Sequence, residues 1–291
     1  VWRWIDRVLL FGAHHAHHLP PGNAARLAAS ELARPMPADF TLAAFSELCQ
    51  RAAPRRAMSV AEYLRAAPCA PFVILRFDVD YREPFALRLA LLLARQRLRG
   101  TFYVRHHPTG FDWDAITAIA ALGHELGYHY ETLDRCRGDF HAAEETFLAD
   151  IAALRARGVR VQTSAAHDAP PVTATYKDNL ALLRANPTLI KRAELRGDAV
   201  ASIDFTRLTY YSDAGWRWQR CDGTPPGVDA SPTSLADLLD RLAQPDAALY
   251  INIHPQQWFA QAANVRAFRW RNRIGNRIVP WLRATRRSLP R

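Results

Sequence analysis

A run of apolar residues that ends in two aspartates constrains the fold of this chain more than any other feature. Residues 72–77 are mostly apolar, and Asp78 and Asp80 follow them, separated by one valine. A short apolar run is typical of a strand that is buried on both faces of a parallel sheet. Residues two apart in an extended chain point to the same side, so we expect both carboxylates to face one point.

Two carboxylates held close together repel each other unless a cation or a proton lies between them. We therefore interpret Asp78 and Asp80 as part of a metal site in which one carboxylate remains available for proton transfer. The alternative is a turn at the end of the strand that carries two solvated acids.

Strands alternate with helices along most of the chain, which indicates βαβ units and a parallel sheet. A length of 291 residues allows one large domain or two small ones, and an α/β barrel can use this length as a single unit. Strands are predicted at 72–77, 101–104, 124–129, 159–166, 200–205, 208–211 and 248–253, and the main helices at 84–99, 141–157 and 235–242.

The two ends of the chain differ from its centre in composition. We expect residues 1–35, which contain a histidine cluster at 14–18, to form a poorly ordered N-terminal extension. Residues 36–262 are predicted to be the catalytic domain, and residues 263–291 a basic C-terminal segment.

Most of the excess positive charge lies near the C-terminus. The net charge is +10, and residues 265–291 contain nine arginines and no acid. This distribution argues against a general nucleic-acid-binding protein. Aromatic and aliphatic residues lie among the arginines, so we expect residues 265–291 either to contact an anionic membrane surface or to form a loosely packed tail.

The sequence predicts a cytoplasmic protein, which is peripheral to the inner membrane if residues 265–291 contact lipid. No apolar run reaches the 18 residues or so of a membrane span, and the N-terminus lacks a secretory signal. The four cysteines are widely spaced, which favours free thiols in a reducing compartment.

Ligand-type side chains recur where the predicted strands end. These residues are Asp78, Asp80, His129, Glu131, His167, Asp168 and His254. Strand ends meet at one rim if a parallel sheet curls into a barrel. Because neutral imidazoles and carboxylates are the usual ligands of zinc and similar ions, we expect a divalent metal cofactor, with zinc as the first candidate.

Four short motifs together resemble the polysaccharide deacetylases, or NodB-homology domains. They are Leu75-Arg76-Phe77-Asp78-Val79-Asp80, Gly100-Thr101-Phe102-Tyr103-Val104, Gly123-His124-Glu125-Leu126-Gly127-Tyr128-His129 and Ile251-Asn252-Ile253-His254-Pro255. The resemblance covers about residues 40–260. It is strongest to a divergent, WbmS-like branch that has Asp-Val-Asp and Gly-Tyr-His-Tyr-Glu motifs.

This resemblance implies a distorted (β/α) barrel with fewer than eight parallel strands. It also implies a metal-dependent hydrolase that removes N-acetyl groups from an acetylated saccharide, in surface polysaccharide biosynthesis of the O-antigen type. Asp78 would be the general base, Asp80 and His129 would be metal ligands, and His254 would be the general acid.

The chain departs from the family pattern at one ligand position. The family carries a second histidine four residues after the first, and here that residue is Leu133. Glu131 and His167 are the available substitutes. Without a third ligand the chain would be a catalytically silent relative that binds a glycan or a metal. A further alternative is that the chain hydrolyses a different amide C–N bond, because a fold does not determine the substrate.

An aromatic segment, residues 210–218, begins within the predicted strand at 208–211. Tyr211, Trp216 and Trp218, together with Trp258, can stack on sugar faces or can bury their rings in the core, and the sequence favours neither. Asp213 lies in the same segment, where it can orient His254 or contact substrate.

Overall fold

The computed structural model describes residues 38–66, 68–106, 112–167 and 178–267. One compact unit spans Asp39–Gln261 and contains the elements named below. The predicted N-terminal extension, most of the basic C-terminal segment and Asp168 lie outside the described residues. The predictions made for them therefore remain predictions.

The strands of the described residues form one mainly parallel sheet. Its order is β6-β5-β4-β3-β2-β10-β7-β8-β9, and β1 pairs with the first half of β2. Along this spatial order, every neighbouring pair between β6 and β7 is parallel, and the last two pairs, β7 with β8 and β8 with β9, are antiparallel. The strands are β1 (Ala57–Met58), β2 (Phe72–Val79), β3 (Thr101–Val104), β4 (Glu125–Tyr130), β5 (Thr163–Ala166), β6 (Gly197–Asp198), β7 (Thr209–Ser212), β8 (Gln219–Asp222), β9 (Ser231–Pro232) and β10 (Ala248–Ile253).

Helices connect most of the parallel strands. They are α1 (Leu42–Ala52), α2 (Val60–Ala66), α3 (Glu83–Arg95), α4 (Trp113–Ala121), α5 (Thr132–Arg135), α6 (Phe140–Ala156), α7 (Ala181–Ala185), α8 (Leu189–Arg192) and α9 (Leu235–Ala243). The expected α/β class with a parallel sheet is confirmed. Within the described ranges no strand pairing joins β6 to β9, so the sheet is not closed.

Strand β2 lies at the centre of the sheet. All eight of its residues are buried, including Arg76 and Asp78, as its mostly apolar run predicts for a central strand. It pairs with β10 on one side and β3 on the other, and Phe77 is the register partner of Ile253 and of Phe102. Because these strands are parallel, the carboxyl ends of β2, β3, β4, β5 and β10 lie at one edge of the sheet.

The predicted strand at residues 200–205 is wrong, and β5 begins at Thr163 rather than at residue 159. Residues 200 and 201 are in a turn, because the carboxylate of Asp198 accepts hydrogen bonds from the backbone N–H groups of Val200 and Ala201. This local contact competes with a strand ladder, and a pattern of apolar residues does not reveal it.

Among the helices that the structure describes, none has both the length and the hydrophobicity that crossing a bilayer requires.

Candidate metal centre and catalytic site

Three ligand-type side chains converge at the carboxyl edge of the sheet. Asp80 directly follows β2, His129 lies in β4, and His167 directly follows β5. Asp80 Oδ1 lies 3.2 Å from His129 Nε2 and 3.4 Å from His167 Nε2. One donor atom from each residue falls within 4.8 Å of the others. The arrangement therefore has the size of a mononuclear metal site.

The hydrogen-bond geometry of His129 suits a metal ligand. Its Nδ1 lies 3.0 Å from the carbonyl oxygen of Ala165, the register partner of His129 in β5. A carbonyl oxygen only accepts, so Nδ1 carries the hydrogen and donates it. In the neutral imidazole the lone pair therefore lies on Nε2, the atom that faces Asp80.

Asp80 Oδ1 shows that these residues fit a cation. It is buried and has no hydrogen-bond partner among the described residues, which is a costly state for a carboxylate oxygen. Burial raises the pKa of Asp80, but positive charge on the neighbouring imidazoles, above all that of His167, outweighs burial and lowers that pKa well below its ordinary value. Two imidazoles and one ionised carboxylate form a common protein ligand set for catalytic zinc, which usually has three protein ligands.

Glu131 lies behind His167 rather than among the converging atoms. His167 Nδ1 is 3.3 Å from Glu131 Oε2, and the guanidinium of Arg105 donates to the same oxygen. Burial raises the pKa of Glu131, but His167 and Arg105 lower it to about 2. The carboxylate is therefore ionised and can hold the orientation of His167, as carboxylates commonly do for metal-bound histidines.

Of the two substitutes for the missing family histidine, His167 is the one whose ring nitrogen converges with Asp80 and His129. Leu133, at the family position, is completely buried. His124 is also remote from the cluster, because its ring contacts the backbone of Ala90 and Gly100 at the amino end of β4.

Gln256 supports Asp80 from the other side. This buried residue donates from Nε2 to Asp80 Oδ2 over 2.6 Å, which leaves Oδ1 directed toward the imidazoles. Arg105 also donates to the backbone oxygen of Asp80 over 3.1 Å. The sequence predicted neither residue, since their roles arise from contacts between distant segments.

Asp78 is held by different partners. Arg76 donates from Nε to Oδ1 over 2.7 Å and from its terminal nitrogen to Oδ2 over 2.8 Å. Asn252 in β10 donates to Oδ2 over 3.1 Å. Burial raises the pKa of Asp78, but Arg76 and the nearby histidines lower it below its ordinary value. Asp78 is thus an ionised carboxylate in a fixed orientation. Arg76, two residues earlier on the same side of β2, is the signal in the sequence that could have indicated this pair.

His254 faces Asp78 and is paired with Asp213. Its Nδ1 lies 2.7 Å from Asp213 Oδ1, and its Nε2 lies 3.9 Å from Asp78 Oδ2. Asp213 is completely buried and also accepts hydrogen bonds from the backbone N–H of His254 and the indole of Trp258. Burial lowers the pKa of His254, but Asp213 outweighs burial and raises it to about 9. His254 is therefore protonated at neutral pH.

The aromatic residues proposed to bind substrate have mostly structural positions. Tyr211, Trp218 and Trp258 are 0%, 3% and 1% exposed, so they present no ring face to a sugar. Trp258 packs against Phe45 and donates to Asp213. Trp216 is half-buried and is stacked against Phe259. Of the four, Trp216 alone retains an exposed part with which to contact a glycan.

Comparison with known proteins gives remote similarities. A family 4 carbohydrate esterase from Bacillus anthracis is 14% identical over 73% of this chain and 76% of that chain, with a TM-score of 0.35. A CE4 family pseudoenzyme from Bacillus anthracis is 12% identical over 68% of this chain and 58% of that chain, with a TM-score of 0.36. A mutant of that pseudoenzyme with restored enzymatic activity is 12% identical over 68% and 60%, with a TM-score of 0.35.

No protein-family model matches the chain, and no curated protein matches it. At 12–14% identity and TM-scores of 0.35–0.36, the similarities to solved structures do not identify an activity. The assignment of an activity therefore depends on the geometry of the site.

Proposed function

We propose that this chain is a metal-dependent hydrolase that removes the acetyl group from an N-acetylated carbohydrate. The observation that carries the proposal is the convergence of two sets of residues at one edge of the sheet. One set comprises Asp80, His129 and His167, which suit a divalent ion. The other comprises Asp78 and His254, a carboxylate and an imidazole that lie 3.9 Å apart.

The protonation states of the second set suit amide hydrolysis at neutral pH. Asp78 is ionised and can accept the proton of a water molecule that attacks the acetamide carbonyl. His254 is protonated and can donate a proton to the amine nitrogen as the C–N bond breaks. The products are acetate and a free amino sugar. Arg76 and Asp213 keep the base and the acid in position.

Asp80, His129 and His167 would hold the metal through Oδ1 and the two Nε2 atoms. A bound divalent ion supplies a Lewis acid and lowers the pKa of a water ligand to about 7. Glu131, Arg105 and Gln256 would keep these ligands in the orientation that the ion requires.

The resemblance of the sequence motifs to polysaccharide deacetylases supports an acetylated saccharide as the substrate. The same resemblance extends the proposal to a role in surface polysaccharide biosynthesis, in the cytoplasm or at the inner face of the membrane. Zinc is the metal that the ligand set favours.

Metal content and acetate release test the proposal together. We expect wild-type protein to retain about one zinc per chain and to release acetate from at least one member of a panel of N-acetylated sugars. Asp80→Asn should lose both properties, whereas Asp222→Asn, a change at an exposed carboxylate of β8, should lose neither. Full activity in Asp80→Asn would contradict the proposal. Metal retention without acetate release would favour a silent metal-binding relative or a hydrolase of another amide.

A further inference from the structure

A second charged site lies at the opposite edge of the sheet, where β3, β4 and β5 begin. It is a cleft of about 650 Å³, which is within the range of small-molecule sites. Five exposed arginines from separate segments line it: Arg65, Arg99, Arg157, Arg160 and Arg196. The proposed metal centre lies at the carboxyl ends of the same strands, so the two sites are distinct.

The carboxylates of the cleft do not balance these arginines. Glu125 accepts hydrogen bonds from the N–H of Ala61 and from the hydroxyls of Thr101 and Thr163, so it serves to join α2 to the sheet. Glu62 accepts from the N–H of Ser59 and pairs with Arg99 over 2.8 Å. Two engaged glutamates face five guanidinium groups, and the cleft keeps an excess of positive charge.

Several of the arginines are held in place by neighbouring groups. Arg157 lies over the ring of Trp113, 4.4 Å from its centroid. Arg99 donates to the carbonyl of Gly123, and Arg196 donates to the side chain of Gln162. These contacts reduce the entropy that the side chains lose when a ligand binds, and they use only part of each guanidinium's donors.

We propose that this cleft binds a phosphate-bearing ligand, either a soluble phosphate ester or diphosphate or the phosphate of a lipid headgroup. Guanidinium groups bind phosphate oxygens through two parallel hydrogen bonds. A phosphate monoester carries close to two negative charges on one small group, which suits several arginines around a confined volume. This site is independent of the hydrolase proposed above, because it shares no residue with the metal centre.

Calorimetric titration of the metal-free protein, residues 1–291, with inorganic pyrophosphate tests the site. The variant Arg160→Ser/Arg196→Ser removes two cleft arginines, and Arg51→Ser/Arg207→Ser removes two exposed arginines that do not line the cleft. We expect the cleft variant to bind pyrophosphate at least about tenfold more weakly than wild type, because it lacks two guanidinium groups that can donate charge-assisted hydrogen bonds to phosphate oxygens. The control variant should bind like wild type.

Sedimentation with vesicles of phosphatidylglycerol or phosphatidylcholine distinguishes the two sources of phosphate. Sedimentation with phosphatidylglycerol that is weaker for the cleft variant than for the wild type assigns the site to a lipid headgroup. Weaker pyrophosphate binding with unchanged sedimentation assigns it to a soluble compound. Equal pyrophosphate binding by wild type and the cleft variant would overturn the proposal and place the phosphate elsewhere, for example on residues 265–291. The proposal would also be overturned if the wild type bound neither pyrophosphate nor phosphatidylglycerol vesicles.

Discussion

Asp78 and Asp80 are separated by one residue, yet their contacts assign them different chemistry. Both oxygens of Asp78 receive hydrogen bonds from the guanidinium of Arg76, so its charge is balanced within the protein. Asp80 has one oxygen fixed by Gln256 and the other directed at two imidazoles without a hydrogen bond. The first is thus suited to accept a proton in a fixed geometry, and the second to bind a cation.

Replacing His167 by leucine tests the third ligand. We expect His167→Leu to lose zinc affinity strongly, because only Asp80 and His129 would remain. Competition with a zinc-binding chromophore measures the affinity, and His141→Leu, at a histidine that is exposed on α6, serves as the control. Unchanged zinc affinity in His167→Leu would show that this residue is not a ligand.

Glu131→Gln tests whether the carboxylate supports His167. The change keeps the size of the side chain and removes its charge, so we expect zinc affinity to fall by about 10–100-fold while the fold is retained. The same chromophore competition measures it. A loss as complete as that of His167→Leu would instead indicate that Glu131 binds the metal directly.

Asp213→Asn tests the origin of the raised pKa of His254. In the wild type this pKa is about 9, compared with an ordinary value of 6.5, so the pair stabilises the fold fully below pH 6.5 and stops doing so as the pH rises through about 9. Without the Asp213 charge, burial dominates and the pKa should fall. NMR titration of the imidazole in metal-free protein measures the shift, and an unchanged pKa would contradict this assignment.

The parallel sheet is the element that brings the site together. Asp80, His129 and His167 follow or end three of its strands, and His254 follows β10, so residues far apart in sequence meet at one edge. The positions of β2 and β10 were predictable because buried strands appear as mostly apolar runs. The contacts of Arg105 and Gln256 with Asp80 could not be predicted, because they join segments that are separate in the sequence and no local pattern indicates them.

The burial of the aromatic segment also could not be predicted from the sequence. Trp218 and Trp258 pack together with Phe40 inside the molecule. An aromatic ring has the same local signature whether it lines a groove or fills a core. Only tertiary packing distinguishes these two cases.

Gly127 in β4 tests how tightly the sheet positions His129. A Cβ at this residue would lie 2.3 Å from the ring of Tyr103 and 3.0 Å from the carbonyl oxygen of Thr163. We expect Gly127→Ala to lower the free energy of unfolding by about 1–3 kcal/mol, as overpacking does. It should also weaken zinc binding, because His129 is two residues away. Urea denaturation measures the first effect, and an unchanged midpoint would contradict it.

At the scale of the whole molecule, charge is concentrated in particular places. Residues 265–291 carry nine arginines, which account for nearly all of the net charge of +10. We expect removal of this segment to lower the fraction of protein that sediments with phosphatidylglycerol vesicles, because basic residues near an anionic surface contribute about 1 kcal/mol each. An unchanged fraction would contradict a membrane role for the segment.

Anomalous diffraction at the zinc edge, from crystals grown with zinc, tests the metal centre most directly. We predict a peak about 2.0–2.2 Å from Asp80 Oδ1, His129 Nε2 and His167 Nε2, the distances expected of zinc bound to oxygen and imidazole nitrogen. No peak at these three atoms, or zinc bound only at the histidines of residues 14–18, would contradict the assignment.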